Sequence, residues 1–251
     1  MPRVLALDTA THACTLALYD EGRVCGRHEI VARAHNRHIL AMLSVILDGR
    51  ALADAVDAIA CGVGPGSFTG LRVAVSVAQG LAWSQGLPVH GFCSLTAQAH
   101  AAGHHGFLQD GDRVLSTIDA QIDQLYGLWG EWREGAFVAD GEAFVCAPED
   151  LLAESSRPAT VVIGSGARYQ ERMPDDLTSA AQWLPEVTPD ARVMAQLFGA
   201  VSPCQFGRDG NLFDDTIFHG AWPHVEHFPR ATASHCSVPV SYTQLTLPTK
   251  A

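Results

Sequence analysis

Ala60-Cys61-Gly62-Val63-Gly64-Pro65-Gly66-Ser67-Phe68-Thr69-Gly70-Leu71-Arg72 is the stretch on which the reading of this chain turns. An apolar, strand-like run (Val56 to Val63) enters it, and an apolar, helix-like run (Leu71 to Trp83) leaves it. Its glycines permit positive φ and close backbone approach, and Pro65 restricts one φ. Ser67 or Thr69 is placed to cap the first turn of the following helix. A strand, a glycine turn and a helix N-terminus together make a potential anion site, because unpaired N–H groups point outward there. The stretch has no lysine, so it is not a Walker A loop, and it does not fit GxGxxG. It reads either as a phosphate cradle or as a rigid corner that presents the helix behind it.

Toward the N-terminus, Arg3 to Leu7 is strand-like and ends in the small polar turn Asp8-Thr9-Ala10-Thr11-His12. Cys14 to Tyr19 and Arg23 to Val31 read as two further strands joined by the hairpin signal Asp20-Glu21-Gly22. A helix is expected from His35 to near Asp48-Gly49, where glycine can end it, and a fourth strand over Asp54 to Val63. Past the glycine turn the second long helix runs to Gln85 and ends at Gly86-Leu87-Pro88. A short strand follows over Val89 to Phe92, then a third helix over Leu95 to Ala101 with Ser94 as its cap, then a linker at Gly103-His104-His105-Gly106. The second half loosely repeats the first. Strands over Arg113 to Ile118 and Leu125 to Trp132 flank the turn Asp119 to Asp123, and a strand over Glu142 to Cys146 follows. Pro148 opens a short helix, Val161 to Ile163 is a buried strand leading into Gly164-Ser165-Gly166-Ala167, and Thr188-Pro189-Asp190 opens a last helix to Phe198.

Both long helices carry apolar residues on more than one face, whereas a surface helix normally shows one apolar stripe roughly 100° wide. Either the first helix covers the second, or the pair leaves an exposed apolar patch, which usually marks a protein interface. Composition narrows the function further. The formal net charge is −11 and the only lysine is Lys250. Nucleic-acid affinity rests mainly on neutralising phosphates, so this chain alone is not expected to bind a polyanion. Its 251 residues contain no uninterrupted apolar run of membrane-spanning length, and the first residues do not read as a secretory signal. The seven cysteines form no CxxC pair, which reads as free thiols in a reducing cytoplasm.

The strand ending in Asp8-Thr9, the antiparallel meander and a second half opening with strand–Asp119 resemble the duplicated α/β fold of the actin, Hsp70 and sugar-kinase class, here with two lobes, the second reduced. Leu5-Ala6-Leu7-Asp8-Thr9, His35, the glycine stretch, Gly80-Leu81-Ala82, and Ile118-Asp119-Ala120 with Tyr126 are similar to one family within it. That family is the bacterial tRNA threonylcarbamoyladenosine biosynthesis proteins of the TsaB (YeaZ) type, and the similarity spans roughly residues 1–200. The resemblance implies a non-catalytic scaffold and activator subunit that pairs with the related catalytic subunit TsaD and with the ATPase TsaE. The assembled complex adds a threonylcarbamoyl group to N6 of A37 in tRNAs that read ANN codons. On this reading tRNA is engaged only through the complex, and the chain carries no cofactor by itself, with ATP or ADP reserved for the complex junction. The expected partner surface is formed by helices over about 35–49 and 69–84, with His35, Leu40, Met42, Leu43, Phe68, Thr69, Arg72, Val73, Val77, Gly80 and Leu81 as contact residues. The same patch could close a homodimer, since a self-complementary surface favours two-fold pairing.

Rival readings are an ATP-dependent small-molecule kinase or ATPase of the same fold, and a glycopeptidase-like hydrolase. In the fold class Asp8, Thr9 and Asp119 would face phosphates, but Asp8-Thr9-Ala10 lacks the glycine usual in such kinases. Gln121 stands where family members usually have Arg, which removes a fixed cation. The catalytic relative holds a metal with two histidines at i, i+4; the matching positions here are Ser94 and Gln98, and His100 and His104 fall six residues late. Ser67 is not in a GxSxG elbow and has no local histidine to activate it. The expected organisation is a first lobe over 1–105, a reduced second lobe over 106–202, and an aberrant tail over 203–251. The tail carries His219, His224, His227, His235 and Cys236 without helical or strand periodicity and lacks the Tyr-Leu-Arg ending usual in the family, as an altered reading frame or a foreign end after about residue 202 would produce.

Overall fold

The computed structural model describes residues 2–31, 35–151 and 158–200. The tail assigned to 203–251 and the second half of the helix expected after Pro148 lie outside them. In the first half, β1 (Val4–Asp8), β2 (Ala13–Asp20) and β3 (Arg23–Ile30) form the expected antiparallel meander. α1 (His35–Leu47) and a short α2 (Leu52–Ala55) lead to β4 (Ala58–Gly64), which pairs parallel to β1. α3 (Phe68–Gln85), β5 (Val89–Cys93) and α4 (Ser94–His104) complete this half. The sheet order is β3-β2-β1-β4-β5.

The second half contains β6 (Arg113–Gln121), β7 (Gln124–Arg133), β8 (Ala136–Ala139), β9 (Phe144–Cys146), β10 (Val161–Ile163), α5 (Asp175–Thr178), β11 (Gln182–Leu184) and α6 (Ala191–Ala200). Its sheet runs β11-β10-β6-β7-β8, with β9 also pairing with β7. Both sheets are therefore an antiparallel three-strand meander whose first strand is continued by two parallel strands. This repeat is the duplicated actin-like α/β architecture. The smaller second copy has only a 3-10 segment, Ser165–Arg172, where the first has the 18-residue α3.

Two expectations about elements are corrected. Residues 52–55 form a helical turn instead of the start of a strand, because their apolar Leu52 and Ala55 pack beneath the first sheet's helical layer. The 103–106 segment is not a free linker, since α4 continues to His104. β8 and β11, four and three residues long, are strands the sequence reading did not foresee, too short to leave a period in the sequence.

The first sheet is covered on both faces. One face packs Leu5, Leu7, Leu16, Leu18 and Ile59 against α1 and α3. The other packs Val4, Ala6, Ala17 and Tyr19 against Met194 and Phe198 of α6, so the last helix returns to the first lobe. α4 lies between the lobes, which is why nearly all of it is buried. Its Ala97 faces the first sheet, while Leu95, Ala99 and Ala102 face Val114, Ile118 and Trp132 of the second. Among the described residues no helix is long and apolar enough to cross a membrane.

Candidate functional site

The glycine stretch and the β1–β2 turn are built into each other. Thr9 Oγ1 donates to the Gly70 carbonyl at 2.7 Å, and the Ser67 N–H donates to Ala10 O at 2.6 Å. A Cβ on Gly62 would stand 1.9 Å from Asp8 Oδ2, and one on Gly70 would stand 1.9 Å from Thr9 O. No side chain can tolerate such contacts, so these two positions require glycine for close approach. The Gly64–Pro65 peptide is cis. Ser67 is the N-cap of α3, its hydroxyl accepting from Gly70 N–H at 3.4 Å, and Gly86 ends the helix in the left-handed region at φ 66°. Of the two capping candidates Ser67 takes the role, and its hydroxyl is occupied there.

Asp8 is 1 % exposed. Its Oδ1 accepts from the Ala10 N–H and its Oδ2 from Ser94 Oγ, both at 2.7 Å. Burial pushes its carboxyl up to about 6, against the pull of those two hydrogen bonds. Ser94 is thus not a helix cap; Cys93 stands at the cap position, and the serine hydroxyl joins α4 to Asp8. Asp119 repeats part of this arrangement in the second lobe, its Oδ1 accepting from Gln121 N–H at 2.9 Å. It differs in being reachable at the surface, where Arg168 and the Tyr169 hydroxyl donate to it at 2.8 and 2.9 Å. Arg168 supplies from another element a cation where Gln121 provides none.

The positions matching the catalytic relative's metal histidines are also engaged. Ser94 holds Asp8, and Gln98 Nε2 donates to Ser116 Oγ at 3.0 Å and to Thr117 O at 3.1 Å. His100 is buried, and desolvation pulls its imidazole down to about 3, whereas His104 is exposed. Among the described residues no group of three or more His, Cys, Asp or Glu is placed to hold a metal ion.

What the first lobe presents to solvent is the outer face of α1 and α3. On α3 the residues Leu71, Ala74, Ala78 and Ala82 are buried at i, i+3, i+4 spacing. The opposite stripe holds Thr69, Arg72, Ser76, Gly80 and Trp83, all exposed. The Arg72 guanidinium lies 3.8 Å from the centre of the Phe68 ring. Val73, Val77 and Leu81 flank the stripe, partly buried, and α1 adds exposed Leu40 and Val45. His35 ties the start of α1 to the first turn, its Nε2 donating to Thr11 O at 3.1 Å. Eight large apolar side chains are markedly exposed in the described chain, and four of them, Leu40, Val45, Phe68 and Trp83, belong to these two helices.

Two expected contact residues do not reach this face. Met42 and Leu43 point into the core beneath the sheet, at 3 % and 8 % exposure. Ala78 is likewise buried, so a charge there would disrupt the lobe itself. Sequence reasoning passed over Val45 and Trp83. Trp83 was legible from its spacing, three residues beyond Gly80 on the same helical stripe.

Comparison with known proteins gives relatives named TsaB or YeaZ and a family model named for the related TsaD. Residues 28–159 match the family model described as "TsaD: tRNA N6-adenosine threonylcarbamoyltransferase". The tRNA threonylcarbamoyladenosine biosynthesis protein TsaB of Haemophilus influenzae is 36% identical over 197 residues, which cover 72% of this chain and 80% of that protein. The Escherichia coli protein of the same name is 41% identical over 133 residues, 52% of this chain and 55% of that one. Among solved structures, YeaZ from Pseudomonas aeruginosa superposes with a TM-score of 0.70 at 36% identity, covering 79% of this chain and 91% of that one.

Proposed function

The chain belongs to the TsaB family of tRNA threonylcarbamoyladenosine biosynthesis proteins, and from that premise we propose that it serves the pathway as a non-catalytic partner of TsaD in the cytoplasm. The observation that carries this reading is the outer stripe of α1 and α3. Four of the exposed large apolar side chains lie on two adjacent helices, and Gly80 in their midst has open space where a Cβ would be. A glycine on an exposed helix lane lets another helix approach closely, and exposed apolar area of this kind is normally covered by a partner. TsaD is the occupant the family suggests. TsaE joins the assembly, ATP or ADP sits at the junction of the subunits, and tRNA is reached through the complex. In the partner's absence the same face pairs two copies of this chain.

A non-catalytic role is supported by how the polar residues are spent. Asp8, Ser94 and Gln98 are committed to joining elements, and the β1–β2 turn is occupied by the glycine stretch. The test is a binding titration of this chain against TsaD, followed by a tRNA modification assay. Gly80→Glu and Ser76→Glu place a charge on the exposed stripe without touching the core. Each should weaken association by about a hundredfold, because a charge buried unpaired in an interface costs several kcal/mol, while the circular dichroism of the isolated chain stays unchanged. Wild-type affinity in both variants overturns the assignment of this face. Turnover of ATP with Mg²⁺ by the chain alone overturns the non-catalytic reading.

A further inference from the structure

β3 stands at the end of the first sheet and, among the described residues, pairs only with β2. A free strand edge offers a row of unpaired N–H and C=O groups to another strand. Proteins blunt such edges with proline, a bulge, a short strand, a cover or charge. β3 contains no proline, and its eight residues hold an unbroken register with β2. Five of them, Arg23, Cys25, Arg27, Glu29 and Ile30, are exposed. The other sheet ends differ: β5 is buried throughout, and β8 and β11 are only four and three residues long. Charge is the one blunting device on β3, and its arrangement selects an occupant.

Two identical antiparallel strands related by a two-fold axis must place one residue opposite itself, because hydrogen-bonded and non-hydrogen-bonded pairs alternate along the ladder. Three such centres keep most of β3 paired. With Cys25 at the axis, Arg23 faces Arg27 of the second copy and Glu21 faces Glu29. With Arg27 at the axis, that arginine faces its own copy. With Gly26 at the axis, Arg23 faces Glu29 at both ends, Arg27 faces Cys25, and no like charges stand directly opposite. Opposite charges across a ladder stabilise it and like charges destabilise it, so the strand is complementary to itself in the Gly26 register.

The layers around the sheet leave room for this pairing. α6 covers one face and α1 the other, and both pack chiefly over β2, one strand in from the edge. In a joined sheet, β2 and its copy stand three strand spacings apart, about 14 Å. A helix with its side chains is about 10–12 Å wide, so neither helix meets its copy. At the axis the Arg192 stem lies over Gly26. Its guanidinium is held by Asp190, with Nε donating at 3.0 Å, so it brings no unpaired charge to the centre.

We propose that β3 pairs antiparallel with β3 of a second copy of this chain about a two-fold axis at Gly26, joining two five-stranded sheets into one continuous sheet. The contact uses the sheet edge and leaves the outer face of α1 and α3 free, so a chain holding TsaD on that face can still pair through β3.

The test is sedimentation equilibrium over a concentration series, on the full chain carrying Ser76→Glu so that the face of α1 and α3 does not pair. A monomer–dimer equilibrium is expected. In that background Arg23→Glu and Glu29→Arg, both at exposed positions, should each weaken the dimer about tenfold, since two opposite-charge pairs become like-charge pairs. The two changes together should restore it. A second arm does not depend on those variants. Arg27→Cys sets a thiol opposite Cys25 of the second copy, and mild oxidation should give a covalent dimer whose linked peptides join positions 25 and 27. The unchanged chain should not link through Cys25, because the two copies of that residue are two positions out of register, more than about 7 Å apart. A monomer at every concentration, a double charge exchange as weak as either single one, or no 25–27 link in the Arg27→Cys chain each overturns the proposal. The TsaD titration reads a different face, so its failure and a failure here are told apart.

Discussion

Burial pushes the Asp8 carboxyl up to about 6, and the unfolded chain holds the same group near 3.9. A carboxyl whose folded value is raised favours the native state fully below the unfolded value, and that contribution is lost as pH rises toward the folded value. The window is therefore pH 4 to 6, and the full effect is on the order of 3 kcal/mol. Asp8→Asn removes the titration. We expect urea unfolding to show that wild type loses more stability than Asp8→Asn between pH 4 and pH 7. Parallel profiles would mean that Asp8 is solvated. The reason Asp8 is held so tightly is also at the residue scale: Gly62 leaves room for its carboxylate, and Ser94 closes over the far oxygen.

α3 separates two demands on one element. Its inner stripe, Leu71, Ala74, Ala78 and Ala82, uses small side chains to bring the helix close to the sheet. Its outer stripe is also small at Ser76 and Gly80, with Phe68 and Trp83 at the two ends. Gly80 makes no contact that a methyl group would disturb, yet glycine inside a helix costs about 0.5–1 kcal/mol relative to alanine. Gly80→Ala should therefore stabilise the isolated chain by about that amount in chemical denaturation. The same variant should weaken association with TsaD if a helix crosses there. A variant that gains no stability would show that the helix is not exposed at this position.

At the scale of the whole molecule the two sheets are joined by α4 passing between them and by α6 returning to the first. Met194 is fully buried against the first sheet together with Phe198. Met194→Ala should cost about 2–5 kcal/mol. Because α6 arises from the second half of the chain, the loss should appear in a single transition followed both by Trp fluorescence and by far-UV circular dichroism. Two separated transitions would show that the lobes unfold independently. The Gln98 side chain adds a polar tie, reaching the Ser116 hydroxyl and the Thr117 carbonyl of the second sheet from within α4.

The sequence by itself determined the meander strands, the glycine turn between β4 and α3, both long helices and the repeat of strand–Asp in the second half. These rest on local signals: hydrophobic period, turn residues and caps, all readable within a dozen residues. It also carried the family, because the glycine stretch is long and its spacing specific. Only the tertiary structure decided which face of each helix is free. Met42, Leu43 and Ala78 are apolar or small like their exposed neighbours, and it takes the position of the sheet to separate them. It likewise turned Ser94 from an expected cap into a ligand of Asp8, 86 residues away in the chain. The same contacts decided the glycine turn. Its glycines are required because the β1–β2 turn occupies the space beside them, and no local pattern in the chain records that two distant turns will share it.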